Sequence, residues 1–114
     1  MVKPGKYNIT AYQGATFDLS MNWAIGGTAI NLTGYTAAMQ VRPTASASSA
    51  VISLTNGNGI TLGGTAGTID IAISAATMGS VAAGQYVYDL ELVQGANVSR
   101  LMQGTFLVDA EVTR

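Results

Sequence analysis

Residues 84–97 read Gly84-Gln85-Tyr86-Val87-Tyr88-Asp89-Leu90-Glu91-Leu92-Val93-Gln94-Gly95-Ala96-Asn97. Tyr86, Tyr88, Leu90 and Leu92 occupy every second position, with Val87, Asp89, Glu91 and Val93 between them. Side chains alternate across a strand with a period of two, so this stretch has one apolar face and one face that carries both carboxylates. Gln94-Gly95-Ala96-Asn97 supplies a hairpin turn, and Val98 to Val108 returns in the same alternation until Asp109. A long two-stranded ribbon is the frame on which the rest is read.

Working outward, the same period recurs. Phe17, Leu19, Met21 and Trp23 alternate with Asp18, Ser20 and Asn22 until Gly26-Gly27 breaks the run. Tyr35, Ala37, Met39 and Val41 stand opposite Thr36, Ala38, Gln40 and Arg42, and Pro43 ends that strand because it has no N–H for a ladder. Val51, Ile52 and Leu54 lead into Asn56-Gly57-Asn58-Gly59, whose residues tolerate positive φ and predict a chain reversal. Ile60 and Leu62 follow, then Gly63-Gly64, then Ile69, Ile71 and Ile73 alternating with Thr68, Asp70 and Ala72. Ser74 is a helix N-cap for a single turn through Ala75–Met78, with Gly79 closing it. The sum is an all-β chain of about seven or eight strands with one short helical turn. Turns every 8 to 12 residues predict one immunoglobulin-like antiparallel β-sandwich across residues 1–114, with a small barrel as the competing architecture.

Composition narrows the chemistry. The 114 residues include no His and no Cys, and charged residues make up 10% against about a quarter in an ordinary domain. Disulfides and thiolate metal sites are excluded, and a general acid or base must come from a carboxylate. Lys3, Lys6, Arg42, Arg100 and Arg114 do not cluster in sequence, which argues against a groove that tracks nucleic-acid phosphates. Met1 to Tyr7 lacks the apolar run of a secretory signal, and no stretch is long and apolar enough to span a bilayer, so a soluble chain without a membrane partner is expected. Gly57–Gly64 is rich in glycine but lacks the Lys and the following helix of a phosphate loop. No catalytic residue, metal site or cofactor is expected.

The charged residues read as structural. Asp89 and Glu91 share one side of their strand, about 7 Å apart by strand geometry, a spacing that brings a glycosidase carboxylate pair to mind. The chain has no cleft-forming insertion and few aromatics to hold a sugar, so ion pairs Arg42–Asp89 and Glu91–Arg100 are the better expectation. Trp23, Tyr86 and Tyr88 lie on apolar faces and read as core. The Ser/Ala-rich segment around Thr44, Ser46 and Ser48 is the best candidate for a mobile loop, and with the hairpin end at Gln94 and Asn97 it is the expected contact region. The tail from Ala110 to Arg114 is expected to be exposed.

Three segments carry a resemblance: Leu32-Thr33-Gly34-Tyr35-Thr36-Ala37-Ala38-Met39-Gln40-Val41-Arg42-Pro43, Ala83-Gly84-Gln85-Tyr86-Val87-Tyr88-Asp89-Leu90-Glu91-Leu92, and Gly104-Thr105-Phe106-Leu107-Val108. Together they resemble a family of small structural proteins of tailed bacteriophages and, more distantly, the N-terminal sandwich domain of phage baseplate upper proteins. The resemblance runs over roughly residues 12 to 114. It implies a virion component made in the host cytoplasm, with other tail, baseplate, fibre or capsid subunits and copies of itself as partners. It brings no catalytic residues. Two other expectations stand beside it: a decoration protein that cements a capsid, and an adhesion module that binds host carbohydrate through exposed Tyr12 or Tyr35.

Overall fold

The computed structural model describes residues 5–112; the expectations that fall on Lys3, Thr113 and Arg114 lie outside the described residues. The chain order is β1 (Gly5–Lys6), β2 (Ile9–Tyr12), β3 (Phe17–Asn22), β4 (Ala24–Ile25), β5 (Thr28–Ala29), β6 (Thr36–Arg42), β7 (Ile52–Asn56), β8 (Gly59–Leu62), a 3₁₀ turn (Gly64–Ala66), β9 (Thr68–Ile73), α1 (Ala75–Gly79), β10 (Gly84–Gln94) and β11 (Asn97–Asp109). β4 and β5 form a small separate hairpin about Gly26-Gly27. All the other strands belong to one sheet, in the order β1-β11-β10-β6-β7-β8-β9-β3, with β2 also on β11. β1 and β2 lie end to end along β11, so nine strands fill eight positions of a sheet that curls until it nearly closes into a barrel.

This corrects the expected two-sheet antiparallel sandwich. The decisive place is Asn56-Gly57-Asn58-Gly59, where a reversal was expected and none occurs. Thr55 and Asn58 exchange backbone hydrogen bonds at 3.0 and 2.8 Å, and Gly57 N–H donates to the Ile60 carbonyl at 2.9 Å. With Gly57 at φ 80° and Gly59 at φ 96°, both in the left-handed region that glycine enters without strain, the chain turns twice and leaves in its original direction. β7 and β8 therefore run parallel, Thr55 beside Gly59 and Asn56 beside Ile60. The ladder passes unbroken from β6-β7 into β8-β9-β3, so one sheet wraps around the core where two were expected to face each other. The sheet is mixed for the same reason, and because β1 and β2 lie parallel to β11.

The interior is filled by the faces that alternation assigned. Leu90 and Leu92 of β10, Met39 and Val41 of β6, Ile69, Ile71 and Ile73 of β9, and Phe106 and Val108 of β11 are buried, as is Tyr88. Phe106 stands at the centre: the rings of Phe17 and Tyr88 meet it edge-on, with centroids at 5.9 and 6.3 Å. Trp23 and Tyr35 make a second edge-on pair at 6.2 Å. α1 forms as its sequence asks. Ser74 caps it by accepting from Thr77 N–H, and Met78 plugs into the core, although Gly79 lies within the helix and Ser80 follows as the C-cap.

β11 departs from the simple alternation. Leu90 is opposite Met102 and Glu91 is opposite Arg100, so Leu101 is an extra residue in a β-bulge. Continued alternation from Phe106 places Arg100 on the core face. The bulge turns it to the outer face instead, beside Asp89 and Gln103.

Candidate functional site

The bulge collects charge on the outer face of β1, β11, β10 and β6. A trough of about 540 Å³ there is lined by Lys6, Gln40, Arg42, Asp89, Glu91 and Arg100 among others. Three of the chain's five basic residues and two of its six acidic ones meet in this one place. The four residues read from sequence as two ion pairs are thus together, but with different partners. Arg100 Nε lies 3.5 Å from Asp89 Oδ2. Glu91 is the register partner of Arg100 across the ribbon, yet no ion pair joins them among the described residues. Arg42 does not pair with Asp89: its guanidinium donates to the Ala47 carbonyl at 2.8 Å and to Gln40 Oε1 at 2.7 Å.

The reason lies in register. Asp89 sits between Gln40 and Gln103, which leaves Arg42 a diagonal neighbour, whereas the bulge brings Arg100 within reach. Side-chain exposures of 51% for Arg100 and 39% for Asp89 make theirs a solvated pair, worth about 0–1 kcal/mol. The trough exposes amide, carboxylate and guanidinium groups.

Arg42 also changes the reading of the loop after β6. Thr44, Ser46 and Ser48 are exposed as expected, but the loop is clasped at Ala47 by Arg42, tightened by a turn from Ala47 N–H to the Thr44 carbonyl, and closed by Val51 N–H on the Val41 carbonyl. Gln94 and Asn97 face each other at the exposed end of the β10–β11 hairpin. The two tyrosines considered for sugar binding have different surroundings. Tyr12 is 60% exposed at the end of β2, whereas Tyr35 is half-buried against Trp23.

The second feature is the seam at which the barrel stays open, and alternation gave no sign of it. Among the described residues β3 pairs only with β9, and β2 only with β11. Trp23 N–H donates to the Gly67 carbonyl in the register that sets Met21 on Ile69 and Leu19 on Ile71. In an antiparallel ladder alternate residues point their N–H and C=O to the same neighbour. Phe17, Leu19 and Met21 therefore bond to β9, and the backbone groups of Asp18, Ser20 and Asn22 face the seam. On the far side, Tyr7 N–H and Gln13 N–H donate to the Gln103 and Asp109 carbonyls of β11, which turns the N–H and C=O of Thr10 outward. Interior packing of Phe17 on Phe106 holds the two sides together without backbone pairing. Beside β3 the seam widens into a groove of about 240 Å³ lined by Tyr7, Leu19, Ser20, Met21 and Met102.

The N-terminal side of the seam is firmly attached. Tyr88 Oη donates to the Tyr7 carbonyl at 2.6 Å, Thr105 N–H donates to Asn8 Oδ1 at 3.2 Å, and Gln13 bridges the Val81 carbonyl and Glu111 N–H. Burial, with a smaller contribution from the Tyr7 phenol, pushes the Tyr88 hydroxyl pKa up to about 12. Gly104, the register partner of Tyr88, makes room for this: an added Cβ runs into the Tyr7 carbonyl. Among the described residues no cluster of metal-ligating side chains occurs and no helix is long and apolar enough to cross a membrane. The chain matches no protein-family model and no curated protein.

Proposed function

We propose that this chain is a non-enzymatic structural subunit of a tailed-phage virion, present in several copies and docked through its sheet edges onto the tail, baseplate or fibre apparatus. The observation that carries the reading is the open seam. Natural sheet edges are guarded by Lys, Pro, bulges or covering segments. The six residues of β3 include neither Lys nor Pro, and a single charge at Asp18. Such an edge, on a chain with 10% charged residues, is cheap to desolvate against a neighbouring subunit. The resemblance of residues 32–43, 83–92 and 104–108 to small phage structural proteins supplies the virion as the setting.

The charged trough favours a second reading, adhesion to host carbohydrate. Its planar polar groups, Gln40, Asp89, Glu91 and Arg42, have the chemistry that hydrogen-bonds vicinal hydroxyls, in place of the expected Tyr12 or Tyr35. Purified virions separated into heads and tails and probed for this chain test the proposal. Recovery with tails supports it, recovery with heads replaces it with capsid decoration, and absence from particles refutes both. Binding to a glycan array that is lost in Asp89→Asn favours adhesion.

A further inference from the structure

We infer that Asn58 is a site of spontaneous covalent change: its side-chain amide is lost through a cyclic imide formed with Gly59, and the product loosens the junction of β7 and β8. The inference is independent of the assembly reading. Asn-Gly is the dipeptide in which this ring closes most readily, because glycine has no Cβ to keep its backbone nitrogen from approaching the preceding side chain. The chain holds two such pairs, Asn56-Gly57 and Asn58-Gly59, and both lie in the double turn that sets β7 parallel to β8. Asn56 and Asn58 are exposed, and among the described residues neither carboxamide has a hydrogen-bond partner, whereas those of Asn8 and Asn31 are held by Thr105 and Thr33 N–H.

The backbone separates the two pairs. Ring closure needs the glycine nitrogen to shed its proton and swing onto the side-chain carbonyl carbon, so an N–H already committed to a carbonyl is held back. Gly57 N–H is committed, since it donates to the Ile60 carbonyl at 2.9 Å. Gly59 N–H is not. Asn58 and Ile60 turn their carbonyls to Thr55 and Gly57, so alternation turns Gly59 away from β7 and toward β9. There the register begins at Ile60 opposite Ile71, which leaves Gly59 N–H without a ladder partner among the described residues. Nor can the fold dispense with this glycine: its φ is 96°, and an added Cβ meets the Leu54 side chain.

The step balances with water alone. The Gly59 nitrogen gives up its proton and bonds to Asn58 Cγ; the Cγ–Nδ2 bond breaks, and Nδ2 leaves as ammonia with that proton. Water then opens the five-membered ring at either carbonyl. The product at position 58 is an aspartyl residue or, where the main chain now runs through the former side chain, an isoaspartyl residue. Both add a negative charge. The isoaspartyl form also inserts a backbone carbon between the N–H and C=O that Asn58 exchanges with Thr55 at 2.8 and 3.0 Å, so the bonded pair that fixes the double turn no longer fits.

The purified chain, aged in heavy-oxygen water at mildly alkaline pH, is mapped by peptide mass spectrometry, with isoaspartyl methyltransferase as the probe for the rearranged link. Isoaspartate and aspartate are both expected at position 58, each carrying one heavy oxygen, at a rate several-fold above any change at position 56. In urea the fold no longer distinguishes the two pairs, and their rates are expected to converge. Asn58→Gln, whose longer side chain must close a larger ring, is expected to stay unlabelled at position 58 with unchanged circular dichroism. Amide exchange at Thr55 is expected to be faster in the isoaspartyl fraction than in fresh protein. Change at position 56 as fast as at position 58 in the folded chain, aspartate without isoaspartate, or no change at either position over weeks overturns the site. An isoaspartyl fraction in which Thr55 is protected as before overturns the loosening.

Discussion

Replacing Tyr88 by Phe removes one hydroxyl and nothing else from the junction of the N-terminal strands with the central ribbon. At neutral pH the loss is the hydrogen bond to the Tyr7 carbonyl. A bond of this kind is worth about 1 kcal/mol net. The pH dependence is more telling. The folded protein holds the Tyr88 proton up to about pH 12 against an ordinary value of 10.0. Below pH 10 the hydroxyl is neutral in both states and its contribution is complete. Above pH 10 the unfolded chain releases the proton while the folded chain keeps it, so stability falls with rising pH. Two pKa steps at 1.36 kcal/mol each, less the incomplete titration at the upper end, amount to about 2 kcal/mol by pH 12.

The two effects oppose each other. Wild type is expected to be the more stable by about 1 kcal/mol at pH 7, the curves to cross near pH 11, and Tyr88→Phe to be the more stable at pH 12. Urea titrations followed by the fluorescence of Trp23, the only tryptophan, give the unfolding free energy at each pH. The two proteins differ only in the Tyr88 hydroxyl, so the difference between the curves isolates it. Parallel curves between pH 10 and pH 12 refute the assignment of a buried, proton-holding phenol.

Gly104→Ala drives a methyl group into the Tyr7 carbonyl and is expected to cost about 1–3 kcal/mol, read as a lower urea midpoint and faster amide exchange in residues 5–12. Phe106→Ala empties the centre that Phe17 and Tyr88 share, and a loss of about 3–5 kcal/mol is expected in the same titration. Arg42→Ala releases the Ala47 carbonyl, with an expected loss of about 1–2 kcal/mol and new protease cleavage between Thr44 and Ser49; Arg42→Lys, which cannot span both acceptors with one planar group, restores little. Arg100→Ala breaks a solvated pair and a long, exposed hydrogen bond to Gln103 Oε1, so the stability is expected to change by no more than about 1 kcal/mol and to lose what dependence on salt the pair gave it.

Strand positions were largely legible because each buried face follows the period of its own segment. Phe17–Asn22, Thr36–Arg42, Thr68–Ile73 and the long ribbon were all marked by alternation alone. What alternation does not encode is the partner of each strand. β2 spans four residues with only Ile9 and Ala11 pointing inward, too short a pattern to stand out, and its parallel docking on β11 is fixed by contacts from Tyr88, Asn8 and Gln13 far along the chain. The pair of turns at Asn56–Gly59 has the composition of a reversal, because positive φ at Gly57 and Gly59 serves a hairpin and a loop that cancels itself equally well. The expected ion pairs failed on register and on side-chain choice: the β6–β10 ladder sets Gln40, not Arg42, beside Asp89, and Arg100, which the bulge at Leu101 brings to the outer face opposite Glu91, reaches Asp89 instead. One added residue in a ladder leaves no mark in composition.

An open seam is consistent with a stable fold only if closure is not needed to bury the core, and Phe106 explains how that is met. Phe17 reaches across from β3 to pack on it inside the barrel, so the apolar interior is sealed at that end while the backbones of β2 and β3 stay apart. Water satisfies the outward N–H and C=O of Asp18, Ser20 and Asn22 in the lone chain, at little net cost. Pairing with a neighbour exchanges those waters for ladder bonds and brings apolar side chains against the groove beside Leu19 and Met21, so association has a gain that folding has left untaken. The two sides of the seam are also unequal. The β2 side is tied down by Tyr88, Asn8 and Gln13, whereas β3 is held by its ladder to β9 and by its interior side chains alone. On the proposed assembly reading this asymmetry has a use, since the fixed side keeps the seam from closing on itself and the less constrained side is left for a neighbour.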